Sequence, residues 1–251
     1  MKTKTVTVIK ARLATMYQNF SGLYLLYPCK YTITSIETES WEYPYIKHLR
    51  SYDQKNIRGE SADILPIENN QLTVHQENIR SAITLIQDAE PEFFAEFKEF
   101  VTHIKLFRGK VLRGDTSPRT FGAIWLRVPH ELEDQVGYWI EHIVHEFSHL
   151  RLEALFFHDK IVLNPSSQKE FRAPIRDDLR PMRGIFHATF VLKRMVSIFK
   201  KLSMMGMDIR FRDRLQLCKL QLEIGLDTVY SEKAKLTTVG ERIRDSFNDL
   251  L

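Results

Sequence analysis

The pentapeptide His145-Glu146-Phe147-Ser148-His149 lies inside "HIVHEFSHLRLEALFFH", residues 142–158. No other stretch constrains the chain as strongly. At about 100° per residue in an α-helix, His145 and His149 stand roughly 40° apart, one turn above the other, as two imidazoles binding one metal must. Glu146 falls about 60° further round from His149 and can approach the open side of that metal. Ile140, Ile143, Val144, Phe147, Leu150 and Ala154 occupy the opposite face, so the helix is expected to pack on its back and present its histidines to a cleft. A surface helix that happens to carry histidines is the bland alternative. Against it stand the helical context, a strand just upstream and the separation of histidine and apolar faces. His142 shares the stripe with Tyr138, Leu152 and Phe156, but another ligand from the same helix reaches too far along the axis. His142 and His158 are expected beside the site or on the surface.

The rest of the chain is that of an ordinary globular protein, with 251 residues, 43% hydrophobic and 27% charged, enough to bury a core without disulfides. Its two cysteines, Cys29 and Cys218, are far apart and unpaired in spacing, which fits a reducing compartment and argues against a disulfide framework and a cysteine zinc site. The start lacks the apolar run of a secretory signal, and no window approaches the roughly 20 apolar residues of a membrane span. A cytoplasmic protein is expected. The formal charge of +4 is spread among nearly as many acids, without a basic stripe interleaved with aromatics, so neither nucleic acid nor membrane is an expected partner.

Helical periodicity dominates. "ENIRSAITLIQDA" (77–89) and "PEFFAEFKEFVTHI" (91–104) read as helices, the second with Pro91 in a first-turn position. "IKLFRGKVL" and "TFGAIWLRV" read as two short strands around the turn-forming "RGDTSP". They lead into the motif helix, expected to start near Glu131 or Leu132 with Glu131, Glu133 and Asp134 in its first turn. A polar stretch from Asn164 to Pro181 is the one plausible hinge. Helices follow from about Gly184 to Leu202, from about Asp208 to Leu226, and from a cap near Thr237 or Thr238. The expectation is a single mostly helical α+β domain with a small β-sheet beside a long central helix. Within it, residues 1–104 form a mainly helical N-terminal part, 105–205 carry the strands and site elements, and 206–251 the C-terminal helices. Signals before residue 60 are weak, and no element is placed there.

The third ligand separates the possible chemistries, because an open zinc site and a facial iron site both need three protein ligands. Glu170 follows His149 by 21 residues, near the spacing of metallopeptidases whose third ligand is a downstream glutamate. In that reading Glu146 is the general base that activates zinc-bound water. Yet "SSQKEFRAP" reads as a loop, whereas such a glutamate comes from a helix. His187, in "RPMRGIFHATFVLKRM", opens a strongly predicted helix after a cluster of arginines.

"GAIWL", "HEFSH" and "APIRDDLRPMRGIFHATFVL" together resemble the H-E-x-x-H-type iron(II)/2-oxoglutarate-dependent peptide β-hydroxylases, which tailor ribosomally made peptides. The resemblance covers about residues 95–195 and rests mainly on a downstream block of the form aromatic-Arg-x-Asp-x-Arg-Pro-Leu-x-Gly-x-x-His. Arg176, Asp178, Arg180, Pro181, Gly184 and His187 match that block. Ile175 stands where tryptophan is usual, Met182 where leucine is usual and Ala188 where glycine is common. The resemblance implies His145, His149 and His187 as ligands of iron(II), with a peptide, dioxygen and 2-oxoglutarate as reactants. The keto acid's distal carboxylate calls for a guanidinium, with Arg180 first, Arg176 second and Arg183 also within a turn or two. Glu146 then orients ligands or substrate, or joins the coordination sphere, instead of acting as a base; the sequence does not choose between these. The competing expectation is a zinc metallopeptidase with Glu146 and Glu170 in the roles given above.

Overall fold

The computed structural model describes residues 31–56, 64–130 and 134–250. In chain order these form β1 (Thr32–Ser35), α1 (Tyr43–Asn56), α2 (Asn69–Ala89), α3 (Pro91–Phe100), β2 (His103–Phe107), β3 (Gly114–Asp115) and β4 (Ala123–Arg127). There follow α4 (Gln135–His158), α5 (Met182–Leu202), α6 (Asp208–Val229) and α7 (Thr238–Asp245). The protein is a mostly helical α+β fold with a four-stranded mixed sheet, as the periodicity implied. The residues from Tyr31 onward cluster as one unit. For residues 1–30 the expected helical content lies outside the described residues.

The sheet order is β1-β2-β4-β3. The two anticipated strands do not form a hairpin with each other: β2 and β4 pair in parallel, with His103 opposite Ala123 and Phe107 opposite Arg127. The "RGDTSP" segment, read as a turn, instead contributes the two-residue edge strand β3, antiparallel to β4. Strand β1, where no element was placed, adds in parallel to β2. Every residue of β4 is buried. Ile124 and Leu126 join the main core, while Ala123 and Trp125 join a second cluster with Tyr45, Ile46 and Leu49 of α1. A strand covered on both faces reads as a continuous apolar run, which is why "AIWL" shows little alternation.

Helix α4 is the central element. Trp139, Ile140, Ile143, Val144, Phe147 and Leu150 are all 0% exposed, and Phe147 meets the rings of Phe93 and Phe97 of α3 edge-on at 5.0 and 5.4 Å. Its expected start at Glu131 or Leu132 lies outside the described residues. From Gln135 onward it is helical with Asp134 as N-cap, a residue that makes no side-chain capping bond and pairs with Arg210 at 2.8 Å. Helix α2 starts eight residues earlier than its apolar pattern suggests, and α3 ends at Phe100 because the next residues join the sheet through the Thr102 N–H to the Gly122 carbonyl at 2.8 Å.

The Asn164–Pro181 stretch is tied to the fold at several points. Phe171 is buried and exchanges backbone hydrogen bonds with Arg180 at 3.2 and 2.9 Å. Buried Asn164 donates to the Lys233 carbonyl at 2.9 Å and accepts from the Lys235 N–H at 2.7 Å. Helices α5 and α6 are separated by a break at residues 203–207, where Gly206 takes φ 89°. Thr237 caps α7, its hydroxyl accepting from the Gly240 N–H at 3.1 Å. Cys218 is buried, and burial pushes its thiol up to about 11; Cys29 lies outside the described residues. No helix among the described residues is long and apolar enough to cross a membrane.

Glu96 of α3 ties together the two helices that matter most, accepting from Arg151 of α4 at 3.2 Å and from Arg194 of α5 at 2.8 Å. Burial alone would raise its carboxyl, but Arg194 and then Arg151 outweigh it and hold the group below the ordinary 4.5. A depressed acid contributes stability that is present above its unfolded value and lost as pH falls through its folded value. Unfolding midpoints in urea should therefore drop as pH falls below 4.5, and Glu96→Gln should flatten that drop. At neutral pH the same variant should lose about 2 kcal/mol, less than a fully buried pair because Glu96 keeps 31% of its side chain in solvent.

Candidate metal centre

The two faces of α4 place the motif. Its apolar back is held by α3 and the core, which leaves His145 and His149 half-buried on the other side. Opposite them α5 begins after Pro181, whose φ of −63° suits the residue leading into a helix, and its second turn presents half-buried His187. The three imidazoles meet. His145 Nε2 lies 3.0 Å from His149 Nε2, and His187 Nε2 lies 3.1 Å from His149 Nδ1. Nitrogens about 2.0–2.1 Å from one metal stand roughly 2.9–3.4 Å apart for ligand angles of 90–109°, so both spacings match those of neighbouring ligands.

His149 nevertheless shows a different ring nitrogen to each neighbour. Among the described residues no set of three or more His, Cys, Asp or Glu side chains is already arranged around one point. As it stands the trio is a hydrogen-bonded chain in which the single N–H of neutral His149 donates one way and its lone pair accepts the other. One ring must turn for three nitrogens to converge on a metal.

The electrostatics favour ligation, which requires neutral imidazole. Burial lowers His145 to about 4, helped by His142 and Arg214 and opposed by Glu141. Burial likewise lowers His187 to about 4, with the Arg183 guanidinium adding to the shift. Burial and its two imidazole neighbours hold His149 well below the ordinary histidine range. The donor set thus fits a divalent transition metal, and three histidine nitrogens leave positions for other ligands.

Glu146 is turned away from this trio. It is 5% exposed, and its Oε2 accepts from the Thr116 hydroxyl at 2.8 Å. Gly114 of β3 makes room for it, since a Cβ there would stand 2.5 Å from Oε1. Burial raises its carboxyl to about 8; Thr116 opposes the shift and Asp115 adds to it. Asp115 in turn accepts from the Tyr45 hydroxyl. The motif glutamate therefore pins α4 to the sheet edge. Thr116→Val, which removes the donor and keeps the shape, should cost about 1–2 kcal/mol of stability in urea unfolding.

The other anticipated residues fall as follows. His142 is buried, stacked on Tyr138 at 3.9 Å with its Nδ1 donating to the Tyr138 carbonyl at 2.8 Å, so it is a satisfied core histidine beside the site. His158 ends α4 and is exposed. Glu170 is exposed on the 164–181 stretch and accepts from Gln168 at 2.8 Å; no contact brings it to the histidines among the described residues. Arg176 is exposed on the same stretch, and Arg180 pairs with Asp178 at 2.7 Å. Arg183, one turn before His187, is the one of these three arginines whose charge acts on His187. It donates to Glu153 at 3.3 Å and lies 4.1 Å over the Phe156 ring.

Two features were not anticipated. Glu153 stands one turn beyond His149, with its Oε1 4.0 Å from His187 Nε2; its position four residues on was a readable signal. Arg214 of α6 grips Glu141 through two nitrogens, Nε at 2.9 Å and Nη2, and its charge reaches His145. Nothing in the sequence pairs those distant residues. The chain matches no protein-family model and no curated protein.

Proposed function

We propose that this protein is an iron(II)/2-oxoglutarate-dependent dioxygenase that hydroxylates a β-carbon in a peptide, and that the peptide is a ribosomally made precursor. The observation that carries the reading is the approach of His187 to His149 at 3.1 Å, because it joins the downstream block of the resemblance to the motif helix. His145, His149 and His187 would hold the metal. Bound iron(II) supplies oxidation of a C–H bond coupled to decarboxylation of the keto acid.

The chain's own residues do the positioning. Arg183 takes precedence over Arg180 and Arg176 as partner of the keto acid's distal carboxylate, because it flanks His187 and presents a planar fork suited to a bidentate grip. Glu153 holds that guanidinium from the α4 side. Glu146 braces the helix against β3 through Thr116. The zinc peptidase reading has less support: its third ligand, Glu170, is exposed elsewhere, and its general base is tied to Thr116.

The test is incubation of anaerobically iron-loaded protein with each short peptide that an open reading frame beside its gene encodes, then 2-oxoglutarate and oxygen. Succinate and a peptide heavier by one oxygen atom are expected. Peptide hydrolysis without keto acid consumption would overturn the reading.

A further inference from the structure

Arg151 lies about 240° round α4 from His145, on a flank turned away from the histidines. There a cavity of about 260 Å³ is lined by Arg151, Lys193, Arg194 and Glu96, three cations against one carboxylate. The remaining wall is largely apolar, formed by Leu155, Phe190, Ile243 and Phe247.

The guanidinium groups are only partly satisfied. Arg194 Nη1 donates to Glu96 Oε2 at 2.8 Å and Arg151 Nε donates to Glu96 Oε1 at 3.2 Å. Arg194 Nε and Nη2 and Arg151 Nη1 are buried without a hydrogen-bond partner among the described residues. Arg194 lies over the rings of Phe93, Phe147 and Phe190 at 4.5, 5.2 and 5.6 Å. Aromatic faces stabilise a cation but offer no acceptor to N–H groups in the guanidinium plane. Burial lowers Arg194 from its ordinary value despite Glu96 beside it. Buried N–H groups left open are costly, and the acceptor that answers several at once is an oxyanion.

We propose that this cavity binds a small organic carboxylate, its head between Arg151 and Arg194 and its short tail against Phe190, Phe247, Leu155 and Ile243. Arg194 is already partly neutralised by Glu96, which suits a monoanion, and the apolar wall suits a few-carbon tail. The volume lies below the usual range for drug-sized ligands. The site is separate from the histidine centre, and nothing in the proposed hydroxylation uses it.

Titration calorimetry on the full chain tests the site, with hexanoate, inorganic phosphate and neutral 1-hexanol as probes. A chelator keeps metal out of the histidine centre, so this test and that of the dioxygenase reading fail independently. Hexanoate is expected to bind one per chain, about tenfold or more tighter than phosphate or hexanol. Arg194→Met removes the head's partner, and Ile243→Trp fills the tail space with every charge kept; each should weaken hexanoate about tenfold or more. If Arg194→Met fails to fold, Ile243→Trp and the hexanol comparison still decide. No saturable heat, phosphate or hexanol binding as tightly as hexanoate, or unchanged affinity in Ile243→Trp would overturn the proposal.

Discussion

His187→Ala should abolish stoichiometric metal binding, with affinity falling by more than about 100-fold, while Glu170→Gln leaves it intact. The expectation rests on His187 Nε2 standing 3.1 Å from His149, whereas Glu170 is exposed and bonded to Gln168. Losing a neighbour that merely orients a ligand costs about 10–100-fold in affinity, and losing the ligand itself costs more. Metal content after dialysis and calorimetric titration read the effect, with circular dichroism as the control for folding. Loss of metal in Glu170→Gln and its retention in His187→Ala would favour the peptidase.

Phe147→Ala should be among the most destabilising changes in the motif helix, costing about 3–5 kcal/mol and lowering the melting temperature by roughly 6–20 °C. Phe147 is the middle residue of the histidine pentapeptide, yet it is 0% exposed and points to the opposite side. Its ring meets Phe93, Phe97 and Phe100 and lies beneath Arg194. Truncation opens a cavity under the helix and removes one of the faces that stabilise a buried cation. Thermal unfolding of the metal-free protein measures this separately from any effect on ligation.

The parts of the structure that were readable follow from local geometry. His145 and His149 were legible because four residues make one helical turn, and the apolar back of α4 because its period is helical. His187 was legible only with the arginine block around it, since one histidine on an amphipathic helix carries no signal alone. β1 was not legible: four residues, "TITS", find their partner in β2 some seventy positions away, and parallel pairing leaves no turn signature. The placement of the arginines depends on the fold: the Phe171–Arg180 bridge holds Arg176 and Arg180 on a loop, while Arg183 lies on α5 with His187. The role of Glu146 depended on Gly114 and Thr116, about thirty residues upstream. No spacing within the motif could disclose that contact.

The most direct measurement of the central claim is optical. 2-Oxoglutarate is titrated without oxygen into the iron(II)-loaded protein while visible absorption is recorded. The expected result is a metal-to-ligand charge-transfer band that saturates at one keto acid per chain, persists in Glu170→Gln, vanishes in His187→Ala and requires more keto acid in Arg183→Gln. An iron-loaded protein whose spectrum ignores 2-oxoglutarate, and whose zinc-loaded form cleaves peptides, would contradict it.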